Sequence, residues 1–91
     1  MTSQEMEFIF NNIVGEIDAI KLYNDAINKS GSADVIEVLS DIRDEEMVHL
    51  GELIYLAMKI DSQSALKFLD GCSEAEELLQ KMSTSEKESL D

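Results

Sequence analysis

Apolar residues recur at alternating steps of three and four over two long stretches of the chain. The first stripe reads Met6, Ile9, Ile13, Glu16, Ile20, Tyr23, Ile27; the second reads Val35, Leu39, Ile42, Glu46, His49, Leu53, Leu56, Ile60. This is the period of a helix packed along a partner helix. It predicts one helix from Thr2 or Ser3 to about Lys29 and a second from about Ala33 to Lys59 or Ile60. Glu5 and Glu7 in the first turn and Lys29 in the last suit the dipole of the first helix. Between the two, Ser30-Gly31-Ser32 predicts a turn, with Gly31 in the left-handed conformation that closes one helix and Ser32 capping the next. The pair is then an antiparallel hairpin.

Three polar residues interrupt the stripes. Glu16 stands 15 residues before Gly31 and Glu46 stands 15 after it, so at about 1.5 Å per residue both lie roughly 22 Å from the turn, level with each other. His49, the chain's only histidine, follows Glu46 by three and shares its face. Leucine would pack better at all three places. Buried carboxylates need a compensating cation or a hydrogen-bond network, and Arg43 reads as one residue off the seam. A metal ion compensates better, and two glutamates with one imidazole are a metal-ligand set.

Beyond Asp61-Ser62 the heptad pattern breaks. A short segment carrying Leu66, Phe68 and Leu69 is expected to end at Asp70-Gly71, and Ser73-Glu74-Ala75-Glu76 reads as a capping box opening another short helix to about Met82. Residues 83–91 are polar, and a disordered tail is expected there. The organisation expected is one helical domain over 1–82 with an acidic tail over 83–91. Gly15 and Gly51 place small residues beside the ligand positions, where a partner helix could approach closely.

Ninety-one residues, no proline and 44% apolar residues fit a single small all-α domain. Two long helices alone bury one stripe each, a poor ratio of core to surface, and Phe8, Phe10, Val14, Ile17, Leu22, Met47, Leu50, Ile54 and Met58 lie off the seams. Association through a second face is the expected remedy. A net charge of −13 argues against nucleic acid and anionic membranes as partners and favours cations. The single Cys72 excludes an internal disulfide and fits a reducing compartment. With no basic segment before the first apolar residues and no apolar run of membrane-spanning length, a soluble, cytoplasmic protein is expected.

One hairpin supplies half of the carboxylate-bridged di-iron site of four-helix bundles, in which two helices each give a Glu and two others each give Glu-x-x-His. Two-fold dimerisation would complete it, with two divalent ions balancing four glutamates. Carboxylate and imidazole without thiolate suit iron, manganese or zinc, and the spacing does not choose among them. Tyr23, two turns from Glu16, could hydrogen-bond a ligand carboxylate, or simply pack in the core.

The segments Glu16-Ile17-Asp18-Ala19-Ile20-Lys21-Leu22-Tyr23 and Asp44-Glu45-Glu46-Met47-Val48-His49-Leu50-Gly51-Glu52-Leu53 resemble the ferritin-like superfamily, and the two-helix format resembles the encapsulated ferritins. The resemblance covers about residues 5–60. It implies a ferroxidase whose di-iron centre is assembled at a dimer interface, dimers arranged in a decameric ring, and mineralisation inside an encapsulin shell in the cytoplasm. Glu16, Glu46 and His49 match the iron ligands, with Glu46 as the bridge; Tyr23 matches a tyrosine beside the centre, and Asp18 survives from an acidic metal-entry cluster. Gly15 stands where that cluster has a further acidic residue, and the final residues 86–91 do not look like a shell-targeting peptide. The competing class is a non-enzymatic helical interaction protein whose polar layer, bare or holding a structural metal, sets register and partner choice.

Overall fold

Ser32 opens the second helix as its spacing predicts: its hydroxyl accepts the Val35 N–H at 3.4 Å and its carbonyl accepts the Ile36 N–H at 3.1 Å. The computed structural model describes the backbone of residues 3–90 and the side chains of residues 4–83. Its elements are α1 (Ser3–Lys29), α2 (Ala33–Ile60) and α3 (Ser62–Leu90), with no strand among the described residues. The chain therefore has the all-α architecture expected. It divides into two units, Met1–Ile60 and Asp61–Asp91.

In the first unit α1 packs antiparallel on α2. Every position of the expected α1 stripe is buried or half-buried, with Ile9 at 9% and Ile20 at 8% exposure the only residues classed as buried among those described. The α2 stripe differs from expectation. Ile36, Leu39, Arg43, Glu46, Leu50, Leu53, Ala57 and Ile60 are half-buried, whereas Val35, His49 and Leu56 are exposed. The cause is that α2 carries two adjacent apolar rows and a single neighbouring helix can cover only one of them. Val35, His49 and Leu56, with the half-buried Ile42 in the same row, form the ridge beside the contact, at its open edge.

The turn also differs. No glycine among the described residues has a positive φ, so Gly31 does not take the left-handed cap. Ser30 closes α1 instead: its N–H reaches the Ala26 carbonyl at 3.0 Å, and its hydroxyl accepts the Ser32 N–H at 3.1 Å. A serine side chain bridging the turn removes the need for the left-handed residue. At Gly15 an added methyl would meet nothing within 4 Å, so within the hairpin this glycine accommodates no close neighbour. Gly15→Ala is expected to raise the stability of the metal-free chain by about 1 kcal/mol, read from the midpoint of chemical unfolding.

The second unit is one helix. Asp61 caps it, accepting the Ser64 N–H at 3.1 Å and the Ser64 hydroxyl at 2.7 Å, and these bonds hold its carboxyl below the usual aspartate range. The two short segments expected here are thus a single 29-residue α3. Asp70-Gly71 does not stop it, because an interior glycine costs only about 1 kcal/mol and helix formers such as Ala65, Leu66, Lys67, Glu74 and Ala75 flank it. Ser73-Glu74-Ala75-Glu76 lies inside the helix and caps nothing. Of the expected tail, the backbone to Leu90 continues α3, while Asp91 and the side chains from 84 onward lie outside the described residues.

Candidate metal centre

Halfway along the hairpin the antiparallel pairing brings α1 residue Glu16 against the α2 pair Glu46 and His49. One ligand atom from each side chain lies within 4.8 Å of the others. His49 Nδ1 is 3.8 Å from Glu16 Oε1 and 3.9 Å from Glu46 Oε2. These separations exceed hydrogen bonds and leave space among the three atoms. The carboxylates are mostly covered, with side-chain exposures of 21% for Glu16 and 23% for Glu46, while His49 is 54% exposed on the open ridge of α2. A ligand held here would be enclosed on the hairpin side and open on the other.

The electrostatics favour a cation. Glu16 Oε2 is buried and no donor reaches it. The group opposite, Glu46, is another acceptor, so the two carboxyls can hydrogen-bond only by sharing a proton. That hydrogen bond, then burial, then the negative charge of Glu46 push the Glu16 carboxyl above the usual glutamate range, with His49 pulling the other way. The sign of the stability change follows. A carboxyl raised in the folded state binds more protons folded than unfolded, so its contribution is complete below the unfolded glutamate pKa and is lost as pH rises through the raised folded value. With metal chelated, the unfolding temperature should fall over that interval, and Glu16→Gln should flatten this part of the profile.

The other expected site residues lie outside the group. Tyr23 is half-buried on the α1 stripe, seven residues beyond Glu16. Asp18 is exposed and lines a shallow hollow with Lys21, Leu22, Asn24, Asp25 and Asn28. One polar pair near the centre was not foreseen. The Arg43 Nη1–H donates to Asn24 Oδ1 at 3.0 Å, joining α2 to α1. The available signal was its spacing: Arg43 stands three residues before Glu46 and four after Leu39, in line with the row that α2 turns to α1.

The backbone is similar to the crystal structure of the encapsulated ferritin domain from Pyrococcus furiosus, with a TM-score of 0.79, 33% identity, and coverage of 86% of this chain and 81% of that one. The chain belongs to the encapsulated ferritin family. A ferritin-like–encapsulin shell fusion protein of the same organism is 33% identical over 73 residues, which is 80% of this chain and 21% of the fusion protein. This encapsulated ferritin chain thus spans about a fifth of that relative's length. No family model matches the sequence. Among the described residues, no helix is long and apolar enough to cross a membrane.

Proposed function

We propose that this encapsulated ferritin is a ferroxidase that binds two ferrous ions per pair of chains and oxidises them for storage or detoxification. The observation that carries the reading is the convergence of Glu16, Glu46 and His49 around a buried, donorless carboxylate oxygen. Family membership supports it, since iron is the substrate of ferritins. A second copy docked on the open ridge would add its own Glu16, Glu46 and His49, giving four carboxylates and two imidazoles for two divalent ions.

Each residue has a part in this scheme. Glu16 and His49 would each hold one ferrous ion at a terminal position, and Glu46 would bridge the two. Tyr23 would orient a ligand carboxylate, and Ile13, Ile20, Ile42 and Leu53 would limit water. Two ferrous ions yield two electrons, which with two protons reduce dioxygen to hydrogen peroxide, or a peroxide to two waters. Asp18 and the acidic surface would gather ferrous ions before entry. Manganese or zinc could occupy the same ligands. Assembly beyond the dimer, such as a decameric ring, and enclosure by an encapsulin shell in the cytoplasm belong to the same proposal; the relative that carries its own shell supports the latter.

The test is anaerobic loading with ferrous iron, then air, following ferric absorbance alongside native mass. Saturation at one iron per chain, with oxidation far faster than in buffer, is expected. Oxidation at the buffer rate with no metal retained would leave the three residues a structural polar layer.

A further inference from the structure

Arg43 is the chain's only arginine, in a molecule of net charge −13 with many carboxylates exposed to water. It is nonetheless placed on the row that α2 turns toward α1, with a side chain 27% exposed, where a heptad stripe would take leucine or isoleucine. Its guanidinium is held at both ends. Nη1–H donates across the interface to Asn24 Oδ1 at 3.0 Å, and Nε–H and Nη2–H each reach Asp44 Oδ1 at 3.4 Å. Asn24 is itself half-buried on α1.

We propose that the Arg43–Asn24 pair is a register lock for the hairpin, a positioning device that keeps Glu46 and His49 level with Glu16. The need for one follows from the stripes. Isoleucine, leucine and methionine repeated at heptad spacing pack almost as well after a shift of one turn, and a single polar pair at the interface is how such helices are held to one alignment. Here one wrong alignment has a specific attraction. Arg43 precedes Glu46 by one turn, so a one-turn shift of α2 would set the guanidinium beside Glu16 and replace two facing carboxylates with an ion pair. That exchange would dismantle the ligand set. Asn24 holds the guanidinium away from Glu16, and a shift would cost the lock its hydrogen bond.

The proposal rests on the metal-site reading for its function but not for its geometry, so two readouts separate them. In a Cys72→Ser chain, spin labels at Asn28→Cys and Glu52→Cys, both exposed and offset by about 27 Å along the hairpin axis, report the position of α2 along α1 without metal when the labelled chain is diluted into unlabelled chain. A single narrow distance is expected. Arg43→Leu and Asn24→Leu should each broaden it or add a second population displaced by about 5 Å, one helical turn. Arg43→Lys, which keeps a donor for Asn24, should restore the narrow distance. In the unlabelled chain, cobalt(II) affinity, read from its visible absorption, should fall at least tenfold for both leucine variants and recover in Arg43→Lys, while thermal stability stays level or rises because leucine suits the stripe. Unchanged distances in the leucine variants overturn the lock, whether or not affinity falls. Broadened distances in a protein whose unchanged form binds no cobalt would uphold the lock and remove the metal reading instead.

Discussion

Glu46→Ala should abolish iron oxidation, returning ferric formation to the rate seen in buffer, and ferrous affinity should fall by more than the roughly 10- to 100-fold that follows loss of an outer hydrogen-bond partner. Glu46 is the ligand with the most to lose. In the proposed centre it is shared by both ions, so each pair of chains would lose two bridges at once. His49→Ala should be severe as well, since His49 is the only histidine available to either ion. The sign of the stability change separates this from a folding defect. Removing Glu46 takes away the acceptor that faces Glu16, and with it the largest cause of the raised Glu16 proton affinity, leaving burial. The metal-free Glu46→Ala chain should therefore unfold at the same or a higher temperature at neutral pH while binding no iron. Loss of fold together with loss of oxidation would show the residue to be structural. Intact oxidation would place the chemistry elsewhere in the chain.

Much of this centre was legible because heptad stripes are unforgiving of polar residues. Glu16 stood out within Met6, Ile9, Ile13, Ile20 and Tyr23, and α1 buries that row without a slip. On α2 the same reasoning picked out the residues that converge with Glu16 but put His49 deeper than it lies, because the row Val35, Ile42, His49, Leu56 and the row Ile36, Arg43, Leu50, Ala57 are both spaced correctly. Which row meets α1 is decided by packing between helices, a property that periodicity within one helix does not contain. Arg43 and Asn24 were hidden for the same reason. Gly31 and Gly71 misled in another way: glycine permits a left-handed cap or a break without requiring either, and local hydrogen bonds of Ser30 and the helix formers around Gly71 decided otherwise. The relation to the encapsulated ferritins survived these errors because it rested on Glu16, Glu46 and His49 and on the two-helix format, which does not depend on which row is covered.

Those two rows lead to the strongest test of assembly. The hairpin covers one row and leaves Leu56 at 45% exposure, seven residues beyond His49 on the open ridge, with Val35 at 42% on the same line. If a second copy closes the site there, Leu56→Glu should leave the single chain folded, since an exposed substitution changes stability by about 0.5 kcal/mol or less. Assembly should respond quite differently. A charge forced into the apolar interface without a partner costs about 3 kcal/mol or more, which weakens association roughly a hundredfold. Native mass should then report a monomer at concentrations where the unchanged chain is a dimer or larger. Iron oxidation should fall to the buffer rate even though Glu16, Glu46 and His49 are all present, because one hairpin offers only half of the ligands and leaves His49 facing water. Raising the protein concentration should recover mass and oxidation together, with the same midpoint. Oxidation that persists in a monomeric Leu56→Glu chain would mean that three ligands on one hairpin suffice, and the shared centre would give way to a site complete within a single chain.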